Sequence, residues 1–398
     1  MNIAIFSDCY VPVKNGVVTS IAELKSGLET LGHRVVIFTV DAKGFCESDP
    51  NVIRFASIPI GLGTELRFGL VDQARVNRVM RANNIQLIHS HTEFNLCISA
   101  MLAARKFKLP RVQTNHTMWE EYTHYVLNGR LVNAQVVRLF VRLLFRGCSG
   151  LVAPSVKAAK YYGRLLPGIP LRVIPNGLNP DRFGDREISE IQRVELRRNL
   201  GVDPDDRVIL FVGRIGREKR VLELFQALYP LLQSQPRTRL LLVGDGPELN
   251  ELKTRCRNSH VEKQVICTGY VERDSIAGIY QLADLFVTAS LSEVHPMTML
   301  EAMFCSLPVI ARKDESYLDS VQAGRNGYLL DSDVELGEKV QELLADPDKR
   351  RSFGRESRRI ADRFTGLGHA RRMEEFYEEI LCRFEHQVSA RKMAGHPT

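Results

Sequence analysis

Two glutamates eight residues apart, Glu293 and Glu301, stand in the segment SEVHPMTMLEAM (292–303). Pro296 suits the first position of a helix, which puts Glu301 two turns inside it. Both carboxylates then address one ligand at the helix start. The amides of Met297 and Thr298, together with the positive end of the helix dipole, suit a diphosphate there. Taken alone, the same residues read equally well as a surface glutamate ahead of an ordinary helix. Two companions shift the balance. GRIGREK (213–219) places Arg214 and Lys219 where cations meet phosphate oxygens, and GDGPE (244–248) offers two glycines, Gly244 and Gly246, that let backbone approach a ligand.

These loops need a scaffold, and the apolar runs supply it. NIAIFSD (2–8), RVVIFTVD (34–41), VIRFASI, IQLIHSH, RVQTNH and GLVAPS read as buried strands, with helical patterns between most of them. After RVIPNGLNPDRFG (172–184), read as an interdomain crossing, the pattern restarts with VILFVGR, RLLLVGDG, VICTGYV, LFVTAS and LPVIAR. Strands alternating with helices imply parallel sheets covered on both faces, with ligands at strand carboxyl ends. The expected architecture is α/β: two Rossmann-like domains, residues 1–175 and 176–367, facing across a cleft. A helix at about 368–390 is expected to cross back onto the first domain.

A length of 398 residues fits two hydrophobic cores, and a composition of 44% hydrophobic and 25% charged residues is ordinary for a globular protein. No apolar stretch is long enough to span a bilayer, and no leader pattern precedes the first strand, so a cytoplasmic location is expected. Eight scattered cysteines without a C-x-x-C pair read as reduced, mostly buried thiols. Residues 1–175 carry 21 Lys and Arg against 11 Asp and Glu, whereas residues 176–398 carry 33 against 36. No acidic residue occurs between Glu121 and Asp181, while Arg138, Arg142 and Arg146 recur every four residues on an otherwise apolar helix pattern. That stretch reads either as an interfacial helix facing an anionic membrane or as a core helix with one solvated stripe.

The whole second half, with E-x7-E, G-R-x-x-x-E-K and G-D-G-P, resembles the donor-binding half of the retaining GT-B glycosyltransferases of family four. The resemblance extends over about residues 1–370. It implies that Glu293 holds donor-sugar hydroxyls, Glu301 the ribose, and Arg214 and Lys219 the diphosphate. It likens Gly16, in NGVVTS (15–20), to the family's glycine loop near the donor phosphate, and His116, at a strand end, to a histidine lying against the transferring sugar. Two departures stand out: the family usually has glycine where this chain has Pro296, and commonly where it has Ser306. HTEF (91–94) and HTMWEEYTHY (116–125) resemble the bacterial diacylglycerol glucosyltransferase branch, with Glu120, Glu121, Tyr122, His124 and Tyr125 in its acidic and aromatic acceptor segment and Trp119 in place of the more usual tyrosine.

The expectation is therefore transfer of glucose from UDP-glucose to diacylglycerol with retention, by an enzyme peripherally bound to the inner face of the cell membrane. No cofactor or metal is expected. Asp331-Ser-Asp333 and Asp346-Pro-Asp348 suit turns better than metal sites, and His89 with His91 lacks a completing ligand set. The alternatives are another acceptor (phosphatidylinositol, a sulfolipid precursor, a soluble sugar) or a non-catalytic nucleotide-sugar-binding subunit. Nucleic acid ranks last, because no recognition motif accompanies the basic charge. The oligomeric state stays open.

Overall fold

The computed structural model describes residues 1–59, 67–118, 134–184 and 188–393. The chain divides into two compact units, one of residues 1–177 with 366–398 and one of residues 178–365.

In the first unit the strands are β1 (Asn2–Phe6), β2 (Arg34–Val40), β3 (Val52–Phe55), β4 (Ser57–Pro59), β5 (Arg67–Gly69), β6 (Leu87–Ser90), β7 (Arg111–Thr114), β8 (Gly150–Ala153) and β9 (Leu171–Val173). Helices α1 (Gly16–Thr30), α2 (Gln73–Ala82), α3 (Asn95–Phe107), α4 (Ala134–Phe145) and α5 (Val156–Leu165) lie between them in sequence. A seven-stranded sheet runs in the order β3-β2-β1-β6-β7-β8-β9, and β4 pairs with β5 in a separate antiparallel ribbon. All pairings in the large sheet are parallel. The alternation along β1 shows why both faces are covered: Ile3 and Ile5 enter one core, Ala4 and Phe6 the other.

The long helix Gly366–Met393 closes the first of these cores with Met373, Phe376, Tyr377 and Ile380. Each buried side chain of that size contributes about 1.5–3 kcal/mol, enough to tie the end of the chain to its beginning. Gly27 makes the close helix approach possible, because a Cβ there would lie 2.6 Å from the Cβ of Ala370.

The second unit repeats the plan with β10 (Arg207–Val212), β11 (Thr238–Val243), β12 (Val265–Gly269), β13 (Leu285–Thr288), β14 (Val309–Arg312) and β15 (Gly327–Leu330). Its helices are α6 (Glu190–Leu200), α7 (Val221–Ser234), α8 (Leu249–Asn258), α9 (Arg273–Leu282), α10 (Met297–Phe304), α11 (Val334–Ala345) and α12 (Pro347–Ala361). The six strands run β12-β11-β10-β13-β14-β15, all parallel. Val208, Leu210 and Val212 of β10 face one core, Ile209 and Phe211 the other.

In each sheet the winding direction reverses once, between β1 and β6 in the first and between β10 and β13 in the second. Loops that leave the carboxyl ends of these strands diverge to opposite faces and open a polar notch, the usual ligand position in such sheets. Two sequence expectations need correction. Arg172 and Val173 belong to β9 rather than to a crossing segment, because they pair with Val152 and Ala153. The cysteines are less hidden than expected: Cys46 and Cys382 are exposed, and Cys9, Cys267 and Cys305 only partly covered.

Candidate functional site

At the reversal point of the second unit, the loops after β10 and β11 are fastened to one another by backbone. Gly213 N–H donates to Val243 O at 2.9 Å, Ile215 N–H to Asp245 O at 3.0 Å, and Glu248 N–H to Ile215 O at 3.1 Å. The turns approach so closely that a Cβ on Gly244 would sit 1.9 Å from Gly213 O, and Gly244 has a φ of +138°. Only glycine fits there on both counts. The loop after β13 joins through side chains: the hydroxyls of Ser292 and Ser290 donate to Glu218 O at 2.9 and 3.4 Å.

This fastening brings Lys219 and Glu293 together. Lys219 Nζ donates to Glu293 Oε1 at 2.6 Å, and both side chains are largely covered. Arg214 is more exposed and lies 3.9 Å from the nearly buried Glu218 carboxylate. Glu301 sits in the second turn of α10, where the buried Tyr280 hydroxyl donates to its Oε2 at 2.6 Å. Burial and the Glu301 charge push the Tyr280 phenol well above its usual range, so it stays a donor and fixes the carboxylate's orientation.

Helix α10 starts one residue later than the sequence suggests. Pro296 is the residue before the helix, with ψ at 102°, and Met297 is its first member. The first amides, those of Met297 and Thr298 included, have no carbonyl partner within the helix. A proline outside the helix removes none of them. The other departure has a backbone explanation. Ser306 has a φ of +60°, and Ser306 N–H to Met303 O (3.0 Å) with Leu307 N–H to Ala302 O (3.0 Å) forms a Schellman closure, whose left-handed position favours glycine.

In the first unit, Gly16 opens α1, capped by Asn15, whose side-chain oxygen accepts from Val18 N–H at 2.9 Å. His116 follows β7, and its Nε2 lies 2.9 Å from Nδ1 of the buried His91. Sequence reading sets His91 aside for lack of a metal set; its actual partner is another histidine, 25 residues away. Asp8, also missed, ends β1 as a buried carboxylate. It accepts from Thr92 Oγ1 at 2.6 Å and from Leu96 N–H at 3.0 Å, so it caps α3 from a different strand. The polar run Ser7-Asp8 closing an apolar strand is the signal that could have found it.

Arg138 and Arg142 on α4 and Arg146 in the turn just after it are all exposed, and so are Val136, Leu139, Phe140 and Leu143. At 3.6 residues per turn the four apolar side chains make one stripe bordered by the arginines, while Val141, Leu144 and Phe145 face the core. Arg142 also donates to Leu165 O at 3.2 Å. Glu120, Glu121, Tyr122, His124 and Tyr125, with Trp119, lie outside the described residues. Asp333 is an ion-pair partner of Arg220 and Arg312, at 2.6 and 3.1 Å, and Asp346 caps α12. Among the described residues no group of three or more His, Cys, Asp and Glu is arranged to hold a metal ion.

Two doubly wound units, each built on an all-parallel main sheet, have the GT-B architecture of glycosyltransferases. The chain belongs to the family 4 glycosyltransferases: residues 14–182 match Glycosyltransferase Family 4 and residues 192–360 match Glycosyl transferases group 1. It is 32% identical to the alpha-monoglucosyldiacylglycerol synthase of Streptococcus pneumoniae, over 87% of this chain and 79% of that protein. To the synthase of the same name from Acholeplasma laidlawii it is also 32% identical, over 87% and 89%. Among solved structures, Anabaena HepE in complex with UDP superposes with a TM-score of 0.76 at 20% identity, covering 95% of this chain and all of that one.

Burial raises the Asp8 carboxyl from 3.8 to about 6. The folded state therefore binds the proton more tightly than the unfolded state. Below about pH 4 Asp8 is neutral in both states and costs nothing; the cost grows as pH rises and is complete above about 6, at about 3 kcal/mol. Relative to Asp8→Asn, the wild type should lose stability over that interval, read by urea midpoints at pH 4 and 7. A constant difference between the two proteins would contradict this.

Proposed function

We propose that the protein transfers glucose from UDP-glucose to the free hydroxyl of diacylglycerol, with retention and without a metal ion, to give monoglucosyldiacylglycerol. The observation that carries this reading is the 32% identity, over most of both chains, to two proteins named for that product in its alpha form. In this reading Lys219, Arg214 and the first amides of α10 meet the diphosphate. Glu293 holds sugar hydroxyls and Glu301, oriented by Tyr280, holds the ribose.

The bond from the anomeric carbon to the diphosphate oxygen breaks, and its electron pair stays on that oxygen. Charge growing there is met by the cations and amides, prearranged in a partly water-excluded notch. The acceptor oxygen bonds to the anomeric carbon on the same face, and its proton passes to the leaving phosphate. His116 supports the sugar as positive charge develops on its ring. Lys219 has a dual position: with no donor bound it neutralises Glu293, and with donor bound it exchanges that carboxylate for phosphate oxygen.

Helix α4 supports work at a membrane surface. No helix among the described residues is long and apolar enough to cross a bilayer. An exposed apolar stripe bordered by arginines suits the headgroup layer, where each cation contributes about 1 kcal/mol toward anionic lipid.

Incubation with UDP-glucose and diacylglycerol liposomes should yield a hexosyl-diacylglycerol by mass spectrometry, with an α-linked anomeric proton by NMR. Arg214→Ala and Lys219→Ala should each cut turnover about a hundredfold or more. Absence of product refutes the acceptor, a β-linkage refutes retention, and full turnover in both variants refutes the charge-stabilising role. Separately, Arg138→Gln, Arg142→Gln and Arg146→Gln combined should lower partitioning onto anionic vesicles by roughly tenfold to a hundredfold, with Arg142 contributing least because of its bond to Leu165 O. Unchanged sedimentation would return α4 to a purely structural role.

A further inference from the structure

Three histidines form a row at the carboxyl ends of β6 and β7, and only His116 has a part in the reaction proposed above. The row is anchored at its far end. His89 contacts the Tyr377 hydroxyl of the long C-terminal helix at 2.6 Å through Nδ1, and the Thr114 hydroxyl at 2.7 Å through Nε2. Its ring centre lies 4.0 Å from that of His91. The backbone of His91 is fixed as well, its N–H donating to Phe6 O at 2.9 Å. His91 is thus locked by ring contact and backbone before it meets His116, whose ring lies only 19° from parallel with its own.

Burial pushes both His89 and His91 well below the ordinary histidine range, so each is neutral, with one N–H and one lone pair. The 2.9 Å contact between His91 Nδ1 and His116 Nε2 needs one donor and one acceptor. Two arrangements are possible, and the other side of His91 separates them. His91 Nε2 is buried and has no hydrogen-bond partner among the described residues. If His116 were the donor, His91 would carry its proton on Nε2 as an orphaned buried N–H. If His91 donates, only a lone pair is left uncovered, which is the less costly omission.

We propose that His91 is a positioning residue: its Nδ1–H donates to Nε2 of His116 and holds His116 in the tautomer protonated on Nδ1. His116 then presents an N–H, not a lone pair, to a hydroxyl oxygen of the transferring sugar. It acts as a donor that orients the sugar and does not take up the acceptor's proton, which goes to the leaving phosphate. The inference rests on the reading that His116 meets the sugar.

The tautomer is read without turnover, by long-range proton–nitrogen correlation on the full chain labelled with nitrogen-15 histidine. The expected spectrum shows His116 with a protonated Nδ1 and a bare Nε2; the reverse assignment overturns the inference. Variants supply the functional arm. His91→Asn keeps an N–H donor near the place of Nδ1, and His91→Val removes it. With UDP-glucose and diacylglycerol liposomes, His91→Val should lower kcat by about tenfold to a hundredfold, as loss of an orienting partner does elsewhere, with little change in KM for the donor. His91→Asn should retain most of the rate. Equal rates in the two folded variants overturn a hydrogen-bonding role, and if His91→Val fails to fold, the wild-type spectrum alone decides. Full turnover in His116→Ala would instead sink the sugar-contact reading beneath the inference, whatever tautomer the spectrum shows.

Discussion

Lys219 and Glu293 are opposite charges held 2.6 Å apart, mostly out of water, and the carboxyl end of the second sheet is built to keep them so. Neither residue is positioned by its own loop alone. Glycines 244 and 246 let the turns after β10 and β11 touch backbone to backbone, and two serine hydroxyls bind the third partner, the loop after β13. Removing one member of such a pair leaves the other charge under-solvated, so a ligand that separates the two must offer Lys219 an anion and Glu293 hydrogen-bond donors together. A sugar diphosphate brings both, which connects the geometry of the turns to the reaction proposed.

The first unit ties its reversal point together with buried hydrogen-bonded side chains. At its reversal point Asp8 spans β1, β6 and the start of α3, and the histidine row spans β6, β7 and the C-terminal helix. Here the long helix Gly366–Met393 has a use beyond packing, since Tyr377 fixes the outermost imidazole. Surface chemistry is separated from this interior order. Helix α4 buries Val141, Leu144 and Phe145, while Arg111, itself buried, donates to Leu144 O at 2.6 Å and holds the helix end in place. Its outer stripe is left apolar on a firmly seated helix.

Much of this is legible in the sequence because it is local. Strand alternation, the two G-rich turns, the E-x7-E segment and the strand-end histidine each occupy a few consecutive residues, and their family resemblance fixes the fold. The contacts that escaped are those made by sheet order. Tyr280 reaches Glu301 from 21 residues away, His91 reaches His116 from 25, and Thr92 reaches Asp8 from 84. None of these pairs has a spacing rule. Helix α4 is ambiguous for a different reason: apolar residues lie on both its buried and its exposed faces, so periodicity alone does not say which side meets water. Pro296 is misplaced by one residue because its φ of −77° fits either position and only its ψ puts it outside the helix.

The most direct test of the central pair is a crystal structure of the protein with UDP bound. In that structure Lys219 Nζ should be turned from Glu293 onto a diphosphate oxygen, with Glu301 at hydrogen-bond distance from the ribose. UDP seated away from these loops, or bound there with the Lys219–Glu293 contact unchanged and Glu301 facing solvent, would contradict it.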